Sequence, residues 1–116
     1  MGTSKLGERE RPCTGSAAIY SGRRDPEWEV PELAARRLRE LWDALEPTRR
    51  APPAGPALGY RGCTLTCPVH GRWFAFSGVV SKGKEHRRDP DRSFEHGLLQ
   101  TAPKGSLPGW VFDQLK

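Results

Sequence analysis

Three side chains able to ligate a metal, Cys63, Cys67 and His70, lie close together in the sequence. Two thiolates at that spacing followed by an imidazole are the beginnings of a zinc site. The residues around them oppose it. Cys63, Leu65, Cys67 and Val69 alternate with Thr64 and Thr66, which is the pattern of a half-buried strand. On one strand, residues four apart are separated by about 13 Å, too far for both sulfurs to sit about 2.3 Å from one ion. Cys13, His86 and His96 are isolated in what reads as a tail, a loop and a helix. The expectation is no metal, no cofactor, and buried thiols acting as small hydrophobes. Three cysteines are an odd count, and residues 1–15 lack the apolar core of a secretory signal. Reduced thiols are therefore expected, rather than a disulfide framework.

Hydrolytic chemistry has even less to build on. Asp91, Ser93 and His96 are neighbours in sequence, and Ser93 and His96 share a helical face, but nothing supplies an oxyanion hole. No serine sits in a nucleophile elbow, no glycine-rich phosphate loop is present, and the carboxylates form no obvious pair. These absences point away from an enzyme; the weaker alternative is an enzyme or small-molecule binder whose site is assembled from distant segments.

The stretch from Tyr20 to Trp28 combines turn residues, charge and two aromatics between apolar runs. Such a loop suits recognition, because an arginine beside an exposed aromatic can engage carboxylate, phosphate or a base. The competing structural reading has Trp28 plugging the core, Asp25-Pro26 setting a turn, and Arg23 pairing with Asp91 or Glu95. Tyr20 to Trp28, Leu58 to Gly62 and Asp89 to Glu95 resemble stretches of small proteins of no defined family, and the resemblance brings no activity with it. It implies that the three segments belong to one fold unit, with Arg23, Asp25, Trp28, Tyr60, Arg61 and Arg92 as one polar and aromatic binding cluster.

The elements that must position these residues follow from periodicity. Residues 1–15 read as a polar, mobile tail, and Ala17 to Tyr20 as a short strand. Val30, Ala34, Leu38, Leu41 and Leu45 recur every three or four residues, predicting an amphipathic helix over 31–46 that starts at Pro31 and is stopped by Pro47. Residues 47–58 are a proline-rich connector within one domain spanning 16–116. Two strands then form a hairpin. A two-residue His70-Gly71 turn would pair Cys67 with Phe74 and Leu65 with Phe76, which makes the two phenylalanines core residues. Ser81 to Arg88 reads as a charged loop. Asp89-Pro90-Asp91 predicts a helix start, with Phe94, Leu98 and Leu99 facing inward, and a short closing helix carries Leu107, Val111 and Leu115. The predicted fold class is α+β, in β-α-β-β-α-α order, with a small, largely antiparallel sheet covered on one face by helices.

Composition narrows the functional classes. The 116 residues are 35% hydrophobic and carry a net charge of +5, and mean hydropathy is −0.70. No run is apolar enough to span a bilayer. A soluble, intracellular monomer, cytoplasmic or nuclear, is expected. The leading functional expectation is a non-enzymatic module that binds a protein partner. The alternative is a nucleic-acid binder using the basic clusters at Arg23-Arg24, Arg36 to Arg39, Arg49-Arg50 and Lys82 to Arg92, although Glu40, Glu85, Asp89 and Asp91 dilute them.

Overall fold

The structure is a computed structural model that describes residues 11–19, 24–55 and 59–115. Strands β1 (Cys13–Ala17) and β2 (Glu27–Val30) lead into helix α1 (Glu32–Ala44) and the two-residue strand β3 (Pro47–Thr48). Strands β4 (Cys63–Cys67), β5 (Gly71–Phe76), β6 (Val79–Lys82) and β7 (Glu85–Arg88) follow. A 3₁₀ turn (Pro90–Arg92) then precedes helices α2 (Ser93–Leu99) and α3 (Gly109–Asp113). The strands form one antiparallel sheet in the order β2-β1-β4-β5-β6-β7-β3. The α+β expectation holds, and the sheet is wider than the sequence pattern suggests. No described helix is long and apolar enough to cross a membrane.

The first strand begins at Cys13, inside the segment expected to be a tail, and Cys13 is buried. Polar Thr14 and Ser16 hide the strand, because their side chains face away from the core while Gly15 and Ala17 face in. Glu27–Val30 alternates exposed and buried residues just before Pro31, so Val30 belongs to β2 and not to the helix. The expected loop at Ser81–Arg88 is largely the β6-β7 hairpin, closed by a two-residue Gly83-Lys84 turn between Lys82 and Glu85.

The β4-β5 hairpin exists, but its register differs from the one expected. Cys67 pairs with Gly71, Leu65 with Trp73 and Cys63 with Ala75. Pro68 fixes the chain in a turn closed by the His70 N–H bonding the Cys67 carbonyl at 3.1 Å, and Gly71 takes the positive φ of 117° that the exit requires. The longer turn moves β5 by an odd number of residues, which exchanges its faces. Trp73 and Ala75 are core, whereas Phe74 and Phe76 are only half-buried.

One face of the sheet carries the core. Trp28, Val30, Cys63, Leu65, Trp73, Ala75 and Val80 meet Ala35, Leu38 and Trp42 of α1 and Phe94, Leu98 and Leu99 of α2. Helix α1 matches its predicted span apart from its ends, with Leu45 already extended. A Cβ on Gly97 would stand 3.3 Å from the Leu38 side chain, so α1 and α2 approach closely where that glycine interrupts a helical sequence.

Candidate functional site

The residues expected to form one binding cluster are distributed among different tasks. Arg23 lies outside the described residues. Asp25 is half-buried and its Oδ1 accepts the Ile19 amide at 2.9 Å, which ties a residue just after β1 to one just before β2. Trp28 is buried over Gly15, and its indole Nε1–H donates to Thr101 Oγ1 at 2.8 Å. It is an internal tie rather than an exposed recognition surface. Arg61 is half-buried, and its main-chain amide bonds the Ala18 carbonyl at 2.8 Å.

Tyr60 and Arg92 do meet, through a third residue. The carboxylate of Glu95 is fully buried and accepts the Tyr60 hydroxyl, the Ser77 amide at 3.1 Å, and Arg92 Nε and Nη2 at 2.9 and 3.0 Å. Asp89, also buried, caps the start of α2 by accepting the Phe94 and Glu95 amides at 2.9 and 3.2 Å. Ser77, Asp91 and Arg92 adopt positive φ of 55°, 57° and 54° around this carboxylate. Each such conformation costs a non-glycine residue on the order of 1 kcal/mol, and the hydrogen bonds to Glu95 hold Ser77 and Arg92 there.

The same burial sets the protonation of the group. Tyr60 is pushed well above the ordinary phenol range, first by burial and then by Cys63 and Glu95. Cys63, whose thiol approaches the Ala75 and Glu95 carbonyls at 3.8 Å, is raised by burial and then by Glu95. Asp89 is raised by burial, against the pull of the two amides it accepts. Arg92 is held charged mainly by its hydrogen bonds to Glu95. The cluster is closed and internally bonded, so it locks the turn before α2 onto the sheet and offers no reactive atom to a substrate.

An open groove lies elsewhere, between α1 and the β4-β5 turn. It encloses about 290 Å³ and is lined by Arg36, Arg39, Glu40, Trp42, Asp43, His70, Trp73 and Lys82. Helical spacing brings Arg36, Arg39, Glu40 and Asp43 along one side of α1. Gly71 and the β5-β6 pairing bring Lys82 beside Trp73, with Nζ 4.8 Å from the ring centroid. Arg87 stacks 4.3 Å from the Trp42 ring, donates to the Trp42 carbonyl at 2.7 Å and pairs with Glu85. Trp73 is only 2% exposed, and its indole N–H is the one buried side-chain polar group without a protein partner among the described residues.

Beside the groove, a recess of about 110 Å³ reaches Cys13 and Cys67. Contrary to the expected reduced thiols, these cysteines form a disulfide. They end the paired region of β1 and β4, where Thr14 faces Thr66. Cys63, two turns of the pleat away, stays free and buried. Arg39 lines both cavities, with Nη1 3.5 Å from each disulfide sulfur and Nη2 3.5 Å from Glu32.

Sequence reasoning missed this region because the shifted hairpin register buries Trp73 instead of Phe74. The basic cluster at Arg36 to Arg39 was visible, but nothing in it indicated which side of the helix faces a cavity. Compared with known proteins, the chain matches no family model, no curated protein and no solved structure.

Proposed function

We propose that this chain is a non-enzymatic protein-interaction module whose groove between α1 and β5 binds an extended peptide segment bearing acidic side chains. The cations gathered along the groove over the Trp73 ring carry the reading. Lys82 Nζ lies 4.8 Å from the Trp73 ring centroid, so a cation and a buried aromatic ring meet at the floor of the groove beside Arg36 and Arg39. Arg36, Arg39 and Lys82 supply cations for an acidic side chain, while Glu40 and Asp43 on the same rim can accept peptide N–H groups. That mixture favours a peptide over nucleic acid, since the two carboxylates would repel a continuous phosphate backbone. The volume fits one or two side chains rather than a large cofactor.

A fluorescence-polarisation screen of labelled peptides graded in acidic content tests the proposal. Binding should be weakened at least tenfold by Lys82→Glu and by Arg36→Glu. Peptide affinity indifferent to both substitutions would refute it.

A second reading has an observation of its own. Phe74 lies half-buried on the sheet face opposite the core, between Thr64 and Ser81 and next to Arg72, as a stacking platform for a single-stranded base would. Oligonucleotide affinity that falls steeply with salt and is lost in Phe74→Ala would favour it over the peptide.

A further inference from the structure

We infer that Cys13 and Cys67 form a reversible thiol-disulfide site that exchanges with small thiols, with Arg39 as the group that stabilises the thiolate. Three observations on the same few residues lead there. The recess opens onto both cysteines, so the bond is approached from outside even though the residues are 4% and 2% exposed overall. Arg39 Nη1 stands 3.5 Å from both sulfurs, where a guanidinium favours the thiolate over the thiol. The bond lies at the end of the β1-β4 ladder, beyond pairs running from Thr14-Thr66 to Ala17-Cys63. Opening it therefore leaves that register in place. A cross-link needed only to fasten the strands requires neither the recess nor the cation.

The exchange balances without any further reagent. The thiolate of a low-molecular-weight thiol entering the recess attacks one sulfur. The Cys13–Cys67 bond breaks, its electron pair leaves on the other sulfur as a thiolate beside Arg39, and a mixed disulfide forms. A second thiolate attacks the mixed disulfide and releases the oxidised small disulfide. Two external thiols are oxidised and one protein disulfide is reduced to two cysteines, with protons taken up from water as the thiolates equilibrate. Cys63 takes no part, because burial keeps its thiol protonated within the Tyr60-Glu95 cluster.

Arg39 also lines the peptide groove, but the redox inference does not depend on that groove having a ligand. The experiment is reduction of the oxidised full chain by glutathione without denaturant, with iodoacetamide trapping and peptide mass mapping at Cys13, Cys67 and Cys63. Both cysteines of the pair should become alkylated at a rate that is independent of urea below the unfolding transition, while Cys63 stays unmodified. Arg39→Gln should slow reduction at least tenfold and move the midpoint of the alkylation pH profile of the reduced pair upward. Arg39→Lys, which keeps the cation, should stay within a few-fold of the wild type and controls for loss of packing. Reduction that appears only at urea concentrations where tryptophan fluorescence reports unfolding would overturn the inference, as would equal rates and pH profiles in the wild type and Arg39→Gln.

Discussion

Replacing Glu95 with Gln keeps the shape of the side chain and removes its charge, so it isolates what the buried carboxylate does. In the native structure the two oxygens accept four donors, from Tyr60, Ser77 and twice from Arg92. A carboxamide has one accepting oxygen, and its NH₂ group would face donors. Arg92 would keep its charge with its partner gone. Removing one member of a buried ion pair costs about 3–5 kcal/mol, against about 5–15 kcal/mol for the total stability of a domain. With a urea m-value of about 2 kcal/mol/M, the midpoint should fall by about 2 M. Equilibrium urea unfolding followed by circular dichroism reads this directly. Tyr60→Phe alone should cost about 1–2 kcal/mol. The double variant should cost less than the sum, because both changes remove one shared bond. A loss below about 1 kcal/mol for Glu95→Gln would refute the view that this cluster is the lock holding α2 to the sheet.

Two further predictions probe the fold. Trp73→Ala should cost about 3–5 kcal/mol, whereas Phe74→Ala, on the opposite face of β5, should cost clearly less; the reverse order in thermal or urea unfolding would contradict the observed register. Stability should also decline at alkaline pH. The Cys63 pKa is raised in the folded state, so above about pH 9 the unfolded chain gives up a proton that the native state keeps, and stability falls by about 1.4 kcal/mol per pH unit for this group. Urea midpoints measured from pH 8 to 10 should show this slope shrinking in Cys63→Ala, and an unchanged slope would contradict the assignment.

Helix α1 was legible because Pro31, Glu32 and Pro47 mark its ends and its apolar residues keep a helical period. The β4-β5 hairpin was legible as a hairpin but not in register. Residues 72–76 alternate Trp73 and Ala75 with Phe74, and the aromatics on either face make an equally good strand in isolation. Pro68 and Gly71 decide between them through turn geometry, which moves the whole of β5. Strand β7 carries Glu85, His86, Arg87 and Arg88, with no apolar signal at all, and exists through its pairing with β6 and β3. The Cys13–Cys67 bond needs the β1-β4 pairing to be known first. Tyr60 and Arg92 were singled out together, yet the residue that joins them, Glu95, was considered only as a partner for Arg23 until burial placed it between them. The groove was invisible for the same reason as the register, since it needs Trp73 to face α1.

The most direct test of the groove as the functional surface is a ¹H-¹⁵N NMR titration with an acidic peptide, following the indole N–H signals of the four tryptophans. The account predicts that the Trp73 signal moves furthest, as the peptide binds beside its ring and Lys82, while the Trp28 signal, already bonded to Thr101, stays in place. A Trp73 signal unmoved by peptides that bind elsewhere on the chain, or by any acidic peptide at millimolar concentration, would contradict it.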